Sequence, residues 1–354
     1  TEKTHTFRIP AVLTTHKGTI LVLCEARRDN GRDHGNIDLV MKRSDDGGSH
    51  WGPMRVLFDD RSHTIGNPCL VTDHRTGTIW LLFSRDNKQV LRSSSTDDGR
   101  TWSKPVEITR SVLPSAWGWV GPGPGHGIQL RHGRHAGRLV IPAWAGIEKD
   151  VPFGRRQLSY AIYSDDGGKS WKTSKPFPEK GTGEAALVEL ADGRIYYNSR
   201  VHWSKRPRNK RRREAWSNDG GVSWQGWRIV DALPDGDQGR TYGCMGGLTR
   251  LPLEDRDILI FSNLDTDASH REHVSVWASF DGGKTWPVKR LVDADRSGYS
   301  SLAVGRGQSP SAGWIYLFYE HDPIKGAHMA LFNLAWVLGG EVTGDGVLPK
   351  LKFN

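Results

Sequence analysis

The octapeptide Ser44-Asp45-Asp46-Gly47-Gly48-Ser49-His50-Trp51 is written into this chain four more times. Read as Ser-x-Asp-x-Gly-x-x-Trp, it recurs at residues 95–102, 164–171, 217–224 and 279–286. Its parts explain one another. An Asp accepts hydrogen bonds from nearby backbone amides and Gly tolerates positive φ, so Asp-Gly-Gly is a turn signal. The Trp three residues beyond the last Gly is a large apolar anchor that pins the turn to its neighbour. One copy could arise by chance, whereas five in order mean a repeat architecture. Each Trp is then expected to be mostly buried, and each turn to fall at an equivalent place.

The steps from one Trp to the next are 51, 69, 53 and 62 residues, with 51 up to the first anchor and 68 after the last. They divide the chain into six comparable units, the sixth without the octapeptide. Strand-like runs precede the turns at residues 37–41, 160–163 and 274–278, and further upstream at 19–23, 78–83, 194–197 and 258–262. Units of about 50 residues with several short strands and one turn motif point to the blades of a propeller. The expectation is an all-β, six-bladed β-propeller with four antiparallel strands per blade, a single domain over residues 1–354. An array of β-sandwiches is the competing architecture, and it needs no fixed turn in every unit.

Composition agrees with a loop-rich β protein: 42 glycines and 15 tryptophans in 354 residues. The formal charge of +9, with an isoelectric point near 9.5, favours acidic partners and says nothing about fold. Cys24, Cys69 and Cys244 are odd in number and lie in strand-like or apolar settings, which reads as buried thiols rather than a disulfide framework. No run approaches the roughly 18 apolar residues of a membrane-spanning helix. The chain starts at Thr1 rather than Met, and the favoured expectation is a secreted or periplasmic protein whose leader was removed before this numbering begins.

The next sharp signal is Phe7-Arg8-Ile9-Pro10, an Arg inside a short apolar strand opening. Together with the five turns it resembles the sialidase (neuraminidase) superfamily, of the bacterial exo-α-sialidase type. Members of that family carry a Tyr/Phe-Arg-Ile-Pro motif followed by several such turns, called Asp boxes, on a six-bladed propeller. The likeness runs from Phe7 to about Glu320. It takes in Glu25-Ala26-Arg27, Thr64-Ile65-Gly66-Asn67-Pro68-Cys69, Gly123-Pro124-Gly125-His126-Gly127 and Tyr299-Ser300-Ser301-Leu302.

The resemblance implies a site. A sialic acid carries a carboxylate on the carbon whose glycosidic bond breaks, and the arginine fork matches a carboxylate without ever losing its charge. The three carboxylate-binding arginines would be Arg8, Arg200 in Tyr197-Asn198-Ser199-Arg200, and Arg271 in His270-Arg271-Glu272-His273. Taken singly, Arg200 and Arg271 read as solvent-facing charges. An anionic nucleophile would be repelled by the substrate carboxylate, and sialidases use Tyr instead. A phenol of ordinary pKa near 10 needs a neighbouring base. The family pattern puts the nucleophile at Tyr299 and its partner at Glu184, with Glu189 as the fallback. Gly183-Glu184-Ala185-Ala186 departs from relatives, which often have Asn before the Glu and polar residues after it. Asp33, in Arg32-Asp33-His34-Gly35, matches the acid/base aspartate, with Asp29 and Asp38 as rivals. Glu320 resembles the glutamate that holds the first arginine in place. Arg27, Asn67 and Asp86 are further implied sugar contacts, and Trp117-Gly118-Trp119 a candidate wall. The bland reading of each of these alone is a surface charge or a packing residue.

One run points elsewhere. Lys205-Arg206-Pro207-Arg208-Asn209-Lys210-Arg211-Arg212-Arg213 is dominated by basic residues but lacks interleaved aromatics and any nucleic-acid motif. It reads as a solvated loop or a patch attracting acidic glycans. His126, His132 and His135 have no zinc spacing and no EF-hand loop is present, so neither metal nor cofactor is expected. The implied function is an exo-α-sialidase acting on terminal sialic acids of glycoconjugates, with retention through a covalent tyrosyl intermediate. Two alternatives stay open: the same chemistry on a related 2-keto acid sugar, such as a deaminated sialic acid, or a non-catalytic Asp-box propeller binding acidic glycans. The partners are sialylated glycans or related acidic sugars, with no nucleic acid and no membrane span.

Overall fold

Strands β1 (Thr6–Thr14), β2 (Ile20–Arg27), β3 (Ile37–Ser44) and β4 (Arg55–Phe58) pair antiparallel in chain order. The pattern repeats with β5 (Ile65–Asp73), β6 (Thr78–Arg85), β7 (Gln89–Ser95) and β8 (Val106–Glu107). A third sheet is built from β9 (Trp117–Pro122), β11 (Ile128–Gln129), β12 (Leu139–Ile147), β13 (Gln157–Ser164) and β14 (Lys172–Thr173), while β10 (Gly125–His126) pairs in parallel with β5. The fourth holds β15 (Thr182–Glu189), β16 (Ile195–Val201), β17 (Arg211–Ser217) and β18 (Gln225–Pro234). The last path runs through β19 (Gly247–Arg250), β20 (Leu259–Leu264), β21 (Glu272–Ser279), β22 (Val288–Val304), β23 (Ile315–His321) and β24 (Gly326–Phe332). It is continuous because β22, 17 residues long, pairs with β21 and β25 (Glu341–Val342) along its first part and with β23 along its last.

The fold of this computed structural model is therefore all-β; it describes residues 4–147, 157–202, 210–236, 243–253, 256–266, 268 and 270–349. Strands β2, β5, β16 and β23 are buried along their whole length, so both of their faces are covered by other parts of the chain. The outer strands β4 and β8 are short and largely exposed, which limits their use as pairing templates.

All five octapeptides make the same turn, between the third and fourth strands of their sheets or their equivalents. In each, the Ser hydroxyl donates to Asp Oδ1 at 2.7–2.9 Å and accepts the amide of the last Gly at 2.8–2.9 Å. The same Asp oxygen accepts the amide two residues further on, at 2.8–3.0 Å. Two consecutive positive φ angles are required, and in the second copy Asp98 supplies the first of them at 63°. For Asp97 and Asp166, burial opposes the charge, but the Thr101 and Ser170 hydroxyls and amides outweigh it and hold each carboxyl at about 2.

Each turn also lies against a strand of the preceding sheet. Gly99 abuts Leu21 of β2, Gly168 Trp80 of β6, Gly221 Val140 of β12 and Gly283 Tyr196 of β16. The first turn meets the end of the chain: the Tyr316 hydroxyl of β23 donates to the Gly47 carbonyl at 2.9 Å. The first strands touch in the same circuit, β1 with β5 and β22, β12 with β5 and β15, and β19 with β15 and β22. Trp171, Trp224 and Trp286 are buried as expected. Trp51 and Trp102 are only half-buried, because the outer strands beside them, β4 and β8, are themselves exposed. Cys24, Cys69 and Cys244 are buried free thiols. Among the described residues no helix is long and apolar enough to cross a membrane.

Candidate active site

Four strands carry a register break where their pairing with the next strand begins: between Arg8 and Ala11 in β1, Gly66 and Cys69 in β5, Thr182 and Ala185 in β15, and Ser297 and Ser300 in β22. A bulge re-aims the side chains within it. These four contain or adjoin Arg8, Asn67, Glu184 and Tyr299. Ile9 at φ 59° and Asn67 at φ 54° sit in the left-handed region, which for β-branched Ile9 is a strained conformation that only its surroundings can hold.

Glu320 supplies part of that hold. Its Oε1 accepts Arg8 Nε at 2.7 Å and the Ile9 amide at 2.9 Å, and its Oε2 accepts the Tyr299 amide at 3.0 Å. A Cβ at position 298 would lie 2.1 Å from that second oxygen, so the residue before Tyr299 has to be Gly. One carboxylate thus locks β1, β22 and β23 together.

Around Tyr299 the positive charges converge. The guanidinium carbons of Arg8, Arg200 and Arg271 stand 5.3, 5.5 and 5.4 Å from the centre of its ring. Arg200 Nη1 donates to both Glu184 Oε2 and the Tyr299 hydroxyl, so the link between Glu184 and Tyr299 runs through the arginine. Arg271 Nη2 donates to the Gly243 carbonyl at 3.2 Å. Burial pushes the Tyr299 phenol far above its ordinary range; Arg200 and Arg271 pull it down and Glu184 adds to the rise. Burial disfavours the Arg200 charge, but Tyr299 and Glu184 more than compensate and the guanidinium stays ionised.

At the rim, Asp33 pairs with Arg27 Nη1 at 2.7 Å while its side chain is 80% exposed. Burial of its surroundings disfavours the charge, yet Arg27, Arg8 and Arg200 hold the carboxyl below its usual range. Arg27 is fixed from behind by Glu25 Oε2, at 2.9 Å from Nη2, and by the Gly31 carbonyl at 2.8 Å. Glu25 Oε1 in turn accepts the Asn67 amide at 3.0 Å.

These features match known proteins. The family model described as a BNR repeat-like domain matches residues 18–312. A sialidase of Bacteroides fragilis is 30% identical over 335 residues, 84% of this chain and 58% of its own length. An exo-alpha-sialidase of Aspergillus fumigatus is 31% identical, covering 95% of this chain and 86% of the relative. The chain belongs to the sialidase family. Among solved structures, the Hadza microbial sialidase Hz136 superposes with a TM-score of 0.78 at 27% identity, over 94% of this chain and 66% of that one. The chain spans little more than half the length of the Bacteroides relative.

In this sialidase-family chain several residues singled out from sequence have other partners or surroundings than the three arginines. Asp38 is buried in β3 and accepts Arg28 Nε at 2.6 Å. Asp29 is exposed on the loop after β2. Asp86 accepts the Thr64 amide at 2.9 Å and faces His63 Nδ1 at 2.8 Å, and the Asn67 side-chain amide donates to Asn87 Oδ1 at 2.7 Å. Both are thereby engaged within the protein. Glu189, at the far end of β15, accepts the Arg131 and His132 amides at 2.7 and 3.0 Å. It lines a cavity of ≈ 780 Å³ with His74, His126 and Arg306, at the opposite ends of the strands that carry Arg8 and Tyr299. This cavity and the charge cluster are therefore different places. Trp117 packs edge-on to Tyr160 at 5.2 Å, and Trp119 is exposed.

The basic run is not a solvated loop throughout. Residues 205–209 lie outside the described residues, but Lys210 and Arg212 are buried. Arg212, on β17, pairs with Asp235 Oδ1 at 2.7 Å and donates to the Cys244 carbonyl at 2.9 Å and Asn198 Oδ1 at 2.7 Å. Asp235 Oδ2 accepts the Val201 amide beside Arg200. This buried pair backs the segments that carry Arg200 and, through Gly243, touch Arg271. Sequence reasoning missed it because alternation along β17, which sends Arg212 inward, is hidden in an unbroken run of like charges.

Proposed function

We propose that this chain is an exo-α-sialidase that removes terminal sialic acids from glycoconjugates with retention, folded as one six-bladed β-propeller domain over residues 1–354. The propeller reading rests on the circuit of first-strand contacts and on β22 serving two antiparallel groups of strands. The observation that carries the activity is the convergence of Arg8, Arg200 and Arg271 on the ring of Tyr299.

In the proposed reaction the substrate carboxylate sits among the three guanidiniums. Glu320 takes Arg8 Nε, so the two Nη groups of that fork face the substrate. Tyr299 loses its proton to Glu184 as its oxygen bonds the anomeric carbon, and Arg200, touching both, stabilises the charge that moves. Asp33 is ionised in the free protein. A bound carboxylate cancels the field of the arginines that hold it low, which raises its pKa and lets it carry a proton. It then protonates the leaving oxygen and later takes the proton of the incoming water. A binding module has no need of Asp33, Glu184 and Tyr299 around one carboxylate clamp.

The test is incubation with an aryl α-sialoside and its 5-hydroxy counterpart, following the first-formed sugar by NMR. Release of the aryl group with the α-anomer appearing first is expected, faster for the N-acetylated substrate. Faster release from the 5-hydroxy sugar moves the substrate to a deaminated sialic acid. No release from either makes the chain a binding protein, and a β-anomer formed first ends the tyrosyl mechanism.

A further inference from the structure

On the opposite side of β23 from Glu320, three side chains from three adjacent strands bring their ligand atoms within 4.8 Å of one another: Asp293 of β22, His321 of β23 and His328 of β24. The two imidazoles stack at 4.0 Å between centres with 14° between planes. His321 Nε2 stands 3.6 Å from Asp293 Oδ2 and 3.4 Å from Asp295 Oδ2. Both separations exceed an ordinary N–H···O bond of about 2.7–3.2 Å. The His321–Asp293 separation matches instead the edge of a tetrahedron whose centre lies roughly 2.0–2.2 Å from nitrogen and oxygen ligands, which is about 3.3–3.6 Å. His321 is only 6% exposed, and among the described residues its Nδ1 has no hydrogen-bond partner, so its polar outlet is the Nε2 beside the two carboxylates. Asp293 Oδ2 also accepts the Tyr319 hydroxyl at 2.7 Å, the kind of outer contact that orients a metal-binding carboxylate.

We propose that Asp293, His321 and His328 form a zinc-type divalent metal site, with water completing the coordination. Two imidazoles select a borderline transition metal over calcium or magnesium, which take oxygen ligands. One carboxylate and two neutral imidazoles would hold the dication, and Asp295 beside His321 adds negative charge nearby. No metal is expected from sequence, and these ligands have no motif spacing: 28 residues separate Asp293 from His321, and only pairing of β22, β23 and β24 joins them. Bound metal would tie β22 to β23 on the reverse of the Glu320 lock.

The test strips the full chain of metal with a chelator, then measures Zn²⁺ uptake by equilibrium dialysis and the absorption spectrum with Co²⁺. One Zn²⁺ per chain and the intense visible bands of tetrahedral Co²⁺ are expected. Outer contacts alone change metal affinity by roughly 10–100-fold, so loss of a ligand in His328→Ala should weaken binding at least tenfold. Asp293→Asn replaces the carboxylate ligand with an amide of the same shape and should also weaken it. A parent that takes up no Zn²⁺, or His328→Ala and Asp293→Asn variants that bind as the parent does, would overturn the proposal.

Discussion

Glu320 shows how much a single buried carboxylate can organise. Burial pushes its pKa up, but Arg8 and the Ile9 amide outweigh burial and hold it below the ordinary value. A folded-state pKa below the unfolded one contributes stability above about pH 4.3, lost as pH falls through the folded value. Glu320→Gln should therefore cost about 3–5 kcal/mol at pH 7, because it leaves Arg8 without its counter-charge. Thermal melts at pH 7 and pH 4 check this: the gap between parent and variant should narrow on acidification. Asp33 tests chemistry rather than stability. A natural sugar departs only with a proton, whereas an aryl group of low pKa hardly needs one. Asp33→Ala should slow cleavage of a sialyl-lactose-type substrate by roughly 10²–10⁴-fold more than that of an aryl sialoside, in single-turnover measurements. Equal damage to both would move the acid role to Asp29. As a general acid Asp33 must be protonated in the complex, so the parent's activity on the natural substrate should fall as pH rises through its bound-state pKa.

At the scale of the element, the Asp-box turns and the inner-strand bulges behave differently. The turn was legible in the sequence because all its hydrogen bonds lie within eight residues, from Ser44 to Trp51, and depend on residue type alone. Trp burial was not fully legible, since it depends on what the next strand covers. Trp171→Ala should cost about 3–5 kcal/mol, the range for a fully buried aromatic, and half-buried Trp51→Ala clearly less. Denaturant melts of the two variants check the ranking, and equal losses would mean that the outer strands cover Trp51 in solution. The bulges that aim Arg8, Asn67, Glu184 and Tyr299 left no sequence signal, because a register break is a property of two paired strands.

Across the whole molecule, Arg8, Arg200, Arg271 and Tyr299, from different sheets, meet because successive sheets pack against one another in a circuit. Motif likeness could name these four, but the sequence alone could not show Arg200 standing between Glu184 and Tyr299. Nor could it show that Arg212 and Asp235 back them, since a buried pair inside a basic run looks like surface. The account turns on Tyr299 as the group that attacks the sugar. The most direct measurement is single-turnover cleavage of an aryl α-sialoside by Tyr299→Phe, a substrate for which help from Asp33 matters little. The account predicts a loss on the order of 10³-fold or more, because the bond-forming oxygen is gone while the arginine clamp remains. Cleavage by Tyr299→Phe at a rate close to the parent's would contradict it.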